Sequence, residues 1–464
     1  MTISKFQEYI GHWGDFVNFG LTGNPLGHSL SKVIHLELFK IKNVDFTYEL
    51  LPTENLEKLF SEQLSSLDGF NVTIPYKTDI LDFLNNMDDK VKLYNACNTV
   101  VNREGVFTGY NTDVYGFLNT LKNCNVTLEN KKVLVLGSGG VSRMMVFESA
   151  LNGAKVYITS RNRNKCEEII EEVKEKTGFS IHIINEDEVK DEFDIVLNGT
   201  PCGMFPNFIS LPINFEKIIN VPFVFDTIYN PRETLLTKLT KYCGNKAKNG
   251  LYMLVEQAAV AQKLFCGLEY SDEEVQSVVD KISIKPICLN KNIILIGPPG
   301  SGKSTIGKEL ADIFGLDFVD TDAEIVRIYG NISEIFEKHG ESHFRQLERE
   351  ILGKFMNKSN LLISTGGGIV VNSEIMENLC SDSNNIVVFI NPSFDILLNR
   401  TSKSNDRPLL ADDLACNLKK LLNDRLPLYN KYSNVKLDIN EEQDVKLTTI
   451  QCVDKICLYE KMRD

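Results

Sequence analysis

Residues 297–304 read Gly-Pro-Pro-Gly-Ser-Gly-Lys-Ser and follow directly on the apolar run Asn292-Ile293-Ile294-Leu295-Ile296. Few patterns restrict a fold so tightly. A buried strand must deliver a glycine-rich turn whose backbone N–H groups converge on phosphate oxygens at the N-terminus of a helix. The pattern therefore predicts an α/β layer with a parallel sheet and a nucleoside triphosphate site in the last third of the chain. Gly297, Gly300 and Gly302 shape the turn, Lys303 pairs with the β/γ-phosphates, Ser304 ligates Mg²⁺, and Thr305 completes the ATP-binding run.

With 464 residues the chain exceeds one ordinary core, and about three domain-sized units are expected. A hydrophobic content of 43%, a charged content of 24% and a mean hydropathy of -0.13 describe a soluble globular protein. The net charge of -13 and the absence of a Lys/Arg-rich block argue against nucleic acid as a partner. Anionic substrates must then be drawn in by local cations. No apolar run approaches the length of a membrane span, and Met1–Ile10 lacks the charged-then-apolar pattern of a signal peptide, so a cytoplasmic location is expected. The 11 cysteines form no CxxC pair and the 6 histidines do not cluster, which points to reduced thiols and no structural zinc.

Strand-like runs alternate with helical patterns through most of the chain, the signature of parallel α/β architecture. A second nucleotide-type turn lies upstream. Lys132–Leu136 reads as a strand, Gly137-Ser138-Gly139-Gly140 as a tight turn, Met144–Asn152 as a helix, and Lys155–Thr159 as the next strand. After that second strand an NAD site places an acid for the ribose 2′-hydroxyl. This chain has Ser160-Arg161-Asn162-Arg163-Asn164-Lys165 instead, so Arg161 and Lys165 favour the 2′-phosphate of NADP. Val279–Lys291, with Pro286 and little periodicity, reads as a linker.

Four stretches precede the βαβ unit: Gly23-Asn24-Pro25-Leu26-Gly27-His28-Ser29-Leu30-Ser31, Asn71-Val72-Thr73-Ile74-Pro75-Tyr76-Lys77, Asn98-Thr99-Val100, and Gly109-Tyr110-Asn111-Thr112-Asp113. They offer paired hydroxyls for a carboxylate, one lysine, and one aspartate to hold it. Together with the glycine turn, Asn198-Gly199-Thr200-Pro201 and Met253-Leu254-Val255-Glu256-Gln257, residues 18–275 resemble shikimate dehydrogenase, with the motifs in the same order and at similar spacing. The resemblance implies reversible reduction of 3-dehydroshikimate by NADPH. It implies that Ser29, Ser31 and Thr73 hold the substrate carboxylate, that Asn98, Asp113 and Gln257 hold the ring hydroxyls, and that Lys77 is the proton donor. Gly137, Ser138, Gly139, Gly140, Arg161, Lys165, Thr200 and Met253 would bind NADP(H). Lys32 and Val114 stand where the family has proline and glycine.

Downstream of the phosphate loop, Asp320-Thr321-Asp322 closes an apolar strand, Phe344-Arg345 and Glu348 share a helical pattern, and Gly366-Gly367-Gly368 follows Leu361–Ser364. Arg400, Arg407-Pro408-Leu409-Leu410 and Arg425-Leu426-Pro427-Leu428-Tyr429 come next. This set resembles shikimate kinase over residues 291–464. The resemblance implies that Arg345 and Arg425 bind the shikimate carboxylate, that Asp322 holds the attacking hydroxyl, and that the three glycines approach the acceptor ring. Asp320 would sit near Mg²⁺ through water, Glu348 would brace Arg345, Arg407 would descend on a lid, and Arg400 would flank the adenine.

The expected architecture is thus a split α/β substrate domain (1–116 and 242–278) with an inserted Rossmann-type NADP domain (117–241), a linker (279–291), and a P-loop kinase α/β domain (292–464). The expected function is a bifunctional enzyme of aromatic amino-acid biosynthesis that takes small-molecule substrates, with NADP(H), ATP and Mg²⁺ as cofactors. Two rivals are a quinate-using dehydrogenase and a metabolite-sensing regulator built on inactive copies of both domains. The regulator would be expected to have lost Lys77, Asp113, Lys303 or Asp322, and all four are present. The basic turn yields a first prediction. Arg161→Asp should weaken or invert a preference for NADPH over NADH, because losing a charge-assisted bond to the 2′-phosphate costs roughly 1.5–3 kcal/mol. Equal kcat/KM for both cofactors in the unmodified protein would contradict the assignment.

Overall fold

The structure is a computed structural model, and it describes residues 18–27, 29–190, 192–284, 289–402 and 414–463. The chain divides into two compact units. One comprises the residues up to Pro201 with Val221–Glu233 and Asn245–Lys285, and the other comprises Cys202–Asn220, Thr234–Gly244 and Pro286–Asp464. The second unit therefore takes in two short stretches that lie, in sequence, within the dinucleotide segment. There the carboxylate of Asp454 accepts the backbone N–H groups of Phe215 at 2.8 Å and Glu216 at 3.3 Å.

In the first unit, strands β1 (Asn18–Gly23), β2 (Thr47–Pro52), β3 (Gly69–Val72), β4 (Asn86–Met87), β5 (Thr99–Arg103) and β6 (Val106–Tyr110) form a mixed sheet in the order β2-β1-β3-β5-β6-β4. β1 pairs in parallel with both β2 and β3, whereas β5 runs antiparallel to β3 and β6. A second sheet holds β7 (Lys132–Leu136), β8 (Lys155–Thr159), β9 (His182–Ile183), β10 (Ile195–Asn198), β11 (Phe223–Asp226) and β12 (Lys246–Asn249) in the order β12-β11-β10-β7-β8-β9. All its pairings are parallel. Strand order reverses between β7 and β10, so the crevice beyond their carboxyl ends is where a dinucleotide is expected to lie. Parallel strands covered on both faces need apolar residues at consecutive positions, and Val133–Leu136 and Ile195–Leu197 are buried throughout.

The helices Thr112–Asn123 and Leu251–Cys266 carry Asp113 and Gln257. They pack closely because Gly116 lets the backbones approach: a Cβ there would lie 2.7 Å from the carbonyl oxygen of Met253. The expected linker begins inside the helix Asp272–Lys281, and Val279 and Ile282 are buried against Ile34, Leu38 and Tyr252. Residues 285–288 lie outside the described residues.

In the second unit β13 (Asn292–Ile296), β14 (Asp317–Asp320), β15 (Leu361–Ser364), β16 (Asn385–Pro392) and β17 (Val435–Ile439) make a parallel sheet in the order β14-β15-β13-β16-β17. The carboxyl ends of the three adjoining strands β14, β15 and β13 deliver Asp320, Thr365-Gly366 and the phosphate loop to one edge. Ile293–Ile296 are wholly buried, so the loop leaves from the centre of the sheet.

Gly116 supplies a stability prediction. Alanine normally gains about 0.5–1 kcal/mol over glycine inside a helix. Forcing a methyl onto a fixed carbonyl costs about 1–3 kcal/mol, so Gly116→Ala should be destabilising overall by about 1–2 kcal/mol. Chemical unfolding monitored in the intact chain measures this, and an unchanged or raised first transition would refute it.

Candidate active sites

In the first unit Lys77 follows the loop that leaves β3, and Asp113 sits in the first turn of the Thr112–Asn123 helix. Nζ of Lys77 lies 2.5 Å from Oδ2 of Asp113, and both side chains are part-buried. The loop after β1 comes alongside: the Asn24 N–H donates to the carbonyl of Ile74 at 3.0 Å, and the peptide bonds before Pro25 and Pro75 are cis. The start of the loop that leads to Ser29 and Ser31 is thereby tied to the Thr73–Lys77 stretch, with Gly23 packed against Thr73 and Leu26. The Ser31 N–H donates to Oγ of Ser29 at 3.3 Å at the start of the Ser31–Ile41 helix. Lys32, the departure from the family proline, is on the outer surface and pairs with Glu49 at 2.6 Å.

Beneath these groups runs a buried polar network. Asn98 Nδ2 donates to Oγ1 of Thr112 at 3.0 Å, and Asn98 Oδ1 accepts the Thr112 N–H at 2.7 Å. Thr112 Oγ1 is 3.3 Å from Oε1 of Gln257, whose amide nitrogen donates to the Leu254 carbonyl at 2.9 Å. Asn71 donates to Thr99 Oγ1 at 2.9 Å and accepts from the Tyr48 hydroxyl at 2.8 Å. His35 stacks on Tyr48 with ring centroids 4.0 Å apart, and burial lowers its pKa to about 3, so it stays neutral. Sequence reasoning gave no roles to Tyr48, Thr99 and Thr112. A tyrosine within an apolar strand and threonines beside motif residues look like ordinary packing, and only the fold brings them against Asn98 and Gln257.

At the crevice of the parallel sheet, Gly137 has φ +99° directly after β7, and Gly139 is the N-cap of the Gly140–Leu151 helix. A methyl at Gly139 or Gly140 would meet nothing within 4 Å, so the space before this helix end is open. The donors of the first turn suit a diphosphate there. Ser138 Oγ is 2.9 Å from Ser160 Oγ, which also accepts the Asn162 N–H at 3.2 Å, so the glycine turn is joined to the basic turn. Arg161 and Lys165 are exposed. Thr200, after the neighbouring strand β10, donates to Asn198 Oδ1 at 2.7 Å. Met253 is buried among Val135, Leu197 and Phe117. Val114, the second departure, is fully buried in the same cluster.

The second unit has a cavity of about 480 Å³ lined by Gly300, Gly302, Lys303, Ser304 and Thr305 of the phosphate-loop region together with Asp322, Arg345, Gly366, Gly367, Gly368 and Arg425. Gly297 and Gly302 hold φ +153° and +91°, and Lys303 Nζ folds back onto the carbonyls of Gly297 at 2.8 Å and Pro298 at 3.1 Å. Ser304 Oγ donates to Asp320 Oδ2 at 2.5 Å, while Asp320 Oδ1 caps the next helix through the N–H groups of Asp322 and Ala323. One hydroxyl and one carboxylate suit Mg²⁺, which keeps several waters and takes substrate phosphates as further ligands.

Arg345 and Glu348 project from the helical stretch that resumes after Gly340, where φ is 78°. Arg345 reaches Glu348 Oε2 at 2.6 Å and Glu341 Oε1 at 2.7 Å. Burial pushes the Glu348 carboxyl upward against the opposing pull of Arg345. Arg425 donates to the Gly367 carbonyl at 3.0 Å, and the buried Tyr429 hydroxyl accompanies it at 2.5 Å. Arg400 is held by Glu442 at 2.8 Å, with its NH1 3.5 Å from the Ser301 carbonyl. Phe336 and Thr365, which also line the cavity, and Glu442, which holds Arg400, had no sequence signal of their own. Arg407, expected on a lid, and the other residues from 403 to 413 lie outside the described residues. Among the described residues no group of three His, Cys, Asp or Glu side chains could hold a metal, and no helix is long and apolar enough to cross a membrane.

At Gly366 and Gly368 the site's own side chains occupy the space that a Cβ would need, so a methyl there would displace them. A Cβ on Gly366 would lie 2.3 Å from Glu348 Oε1 and 2.7 Å from Asp322 Oδ1, and one on Gly368 would lie 2.1 Å from NH1 of Arg345.

Residues 21–100 match the family model of the shikimate dehydrogenase substrate binding domain, and residues 299–456 match that of shikimate kinase. A shikimate dehydrogenase (NADP(+)) from Caldanaerobacter subterraneus is 37% identical over 262 residues, spanning 55% of this chain and 93% of the relative. One from Methanocaldococcus jannaschii is 36% identical over 274 residues, spanning 57% and 96%. Among solved structures, a shikimate dehydrogenase in complex with NADP+ superposes with a TM-score of 0.54 at 33% identity, covering 58% of this chain and 96% of that one. A chorismate mutase/shikimate 5-dehydrogenase fusion protein from Clostridium acetobutylicum gives 0.53 at 34% identity, covering 57% and 97%.

Gly366→Ala should therefore cost the phosphoryl-transfer reaction roughly 10²-fold in kcat/KM, the scale of a 1 Å misplacement of positioning groups, and leave hydride transfer in the same chain at its parental rate. Parental phosphoryl transfer in this variant would show that the loop can yield.

Proposed function

We propose, for a chain that belongs to the shikimate dehydrogenase family and carries a shikimate kinase domain behind it, that one polypeptide performs two successive reactions of the shikimate pathway. The first is NADPH-dependent reduction of 3-dehydroshikimate to shikimate, and the second is ATP-dependent phosphorylation of shikimate to shikimate 3-phosphate. The observation that carries this reading is a shared metabolite: the product of the family found in the first unit is the acceptor of the family found in the second.

Bound NADPH supplies the hydride in one site, and bound ATP with Mg²⁺ supplies the phosphoryl group in the other. Everything else falls to the chain. As the C3 ketone of 3-dehydroshikimate is reduced, negative charge develops on its oxygen. Lys77, held 2.5 Å from Asp113, is suited to stabilise that charge and hand over a proton. Asp113 orients the ammonium, and Asn98 and Gln257 present amides to the ring hydroxyls. Ser29, Ser31 and Thr73 face the carboxylate with hydroxyls from two adjoining loops. For NADP(H), the donors at the helix start behind Gly137–Gly140 take the diphosphate, and Arg161 and Lys165 take the 2′-phosphate.

In the second site Arg345 and Arg425 line the cavity beside Asp322 and the triple glycine, and their guanidinium forks suit the shikimate carboxylate. Asp322 faces the same cavity and would receive and orient the attacking hydroxyl. Lys303 would exchange its contacts with the loop carbonyls for phosphate oxygens, and Ser304 with Asp320 would hold the metal. By the family resemblance Arg407 would supply a further cation to the transferred group, and Arg400 would flank the base.

A single assay with 3-dehydroshikimate, NADPH and MgATP, following NADPH loss and ADP formation separately, tests both activities, and NADPH formation from quinate and NADP+ tests the rival substrate. Lys77→Ala should lower kcat of the reduction by about 10²–10⁴-fold while the kinase acting on added shikimate keeps its rate. Near-parental reduction by this variant would remove Lys77 from the role of proton donor.

A further inference from the structure

The helix Asp89–Tyr94 ends four residues before Asn98 and is fastened to the dinucleotide-binding part of the same unit. Lys90 and Tyr94, four positions apart and thus on one helix face, both donate to the same oxygen, Oε1 of Glu148. Glu148 is 1% exposed and projects from Gly140–Leu151, the helix whose N-terminus carries the glycine turn. A carboxylate buried to this degree is tolerated only when paired and hydrogen-bonded. The two donors convert a costly charge into a fixed anchor.

The last carbonyls of the short helix are held from the same side. The Tyr94 carbonyl accepts from Arg143 NH1 at 2.9 Å, and the Leu93 carbonyl accepts from Lys176 Nζ at 2.8 Å. Cations at a helix C-terminus satisfy its orphan carbonyls and its dipole. Arg143 and Lys176 are in turn fixed by Glu172, at 2.6 Å and 2.7 Å. From Tyr94 the chain turns through Asn95 at φ 50°, and the Ala96 carbonyl accepts from Asn111 Nδ2 at 3.0 Å. The Cys97 N–H donates to the carbonyl of Lys77 at 2.8 Å. A continuous run of polar contacts thus leads from the helix of the dinucleotide turn to the backbone of Lys77 and to Asn98, and Asn111 lies two residues before Asp113.

We propose that Glu148 is a positioning residue of the dehydrogenase reaction: by clasping Lys90 and Tyr94 it sets the separation between the dinucleotide turn and the Lys77–Asp113 pair. The inference rests on the dehydrogenase reading of this unit. Hydride transfer is steeply sensitive to donor–acceptor distance, so slackening the clasp should slow that step more than it weakens either binding event.

The test uses the full chain with Glu148→Gln, which removes the charge and keeps the shape, and Tyr94→Phe, which removes one hydroxyl. Calorimetry measures binding of NADP+ and of shikimate separately. The reduction is run with NADPH and with NADPH deuterated at the transferred position. Both variants are expected to bind each ligand within a power of ten of the parent, to lose roughly 10–100-fold in kcat, and to show a larger isotope effect on kcat. Kinase turnover in the same preparations should be parental. Variants with parental kcat and isotope effect would overturn the proposal. So would a Glu148→Gln chain that binds neither ligand beside a Tyr94→Phe chain that behaves as the parent, since Glu148 would then serve stability alone. A parent chain unable to reduce 3-dehydroshikimate would defeat the dehydrogenase reading itself.

Discussion

Each site rests on a cation held by an acid. On a chain of net charge -13, a free lysine or arginine at a substrate cleft would be a solvated, many-rotamer side chain, and the ligands concerned are all anions. Asp113 at 2.5 Å from Lys77, and Glu348 and Glu341 at 2.6 and 2.7 Å from Arg345, hold those cations in single geometries. Such pairs add little to stability once desolvation is counted. What they contribute is placement, which for proton donation and carboxylate binding is the larger effect. Further positive potential comes from helix N-termini behind the two glycine turns, which attract phosphate without adding a formal charge.

That requirement explains the arrangement of the sheets. Both parallel sheets send their strands into the same kind of edge, where a turn, a helix start and polar residues from neighbouring strands converge. In the dinucleotide sheet the edge is the point between β7 and β10, with Gly137 directly after one strand and Thr200 after the other. In the kinase sheet it is the edge of β14, β15 and β13, with Asp320, Gly366 and the phosphate loop. The mixed sheet does something different: its loops after β1 and β3 are tied together, and the helices of Asp113 and Gln257 pack at Gly116. Its polar network of Tyr48, Asn71, Thr99, Asn98, Thr112 and Gln257 leaves few of those amides free to rotate.

The triple glycine and the Glu148 clasp illustrate opposite uses of close packing. Around Gly366 and Gly368 the side chains of Glu348, Asp322 and Arg345 fill the space where a methyl would stand, so the backbone itself becomes a wall of the cavity. Around Glu148 a buried carboxylate occupies a place where an apolar side chain would pack more cheaply, and it does so with three helices arranged to satisfy it and its neighbours.

Much of this could be read from the chain before any coordinates. Phosphate loops and glycine turns are local: their chemistry is carried by backbone freedom and by one or two adjacent residues, so Lys303, Ser304 and Gly137–Gly140 stand out at short range. Lys77, Asp113, Arg345 and Arg425 were legible through ordered motifs, although neither the 2.5 Å pairing of the first two nor the grip of Gly367 on Arg425 follows from spacing. Tyr48 and Glu442 had no signal, and Thr112 and Tyr429 stood inside motifs without a role of their own, because a buried tyrosine or a surface glutamate is common and its partner lies far away in sequence. Glu148 was hidden for the same reason, since its partners lie 54 and 58 positions away. The grouping of 202–220 and 234–244 with the second unit likewise depends on contacts between distant segments. Residue types and local spacing determined which chemistries the chain can support. Only tertiary structure decided which side chains meet, because burial, pairing and closest approach are properties of segments brought together by folding, and no local pattern encodes them.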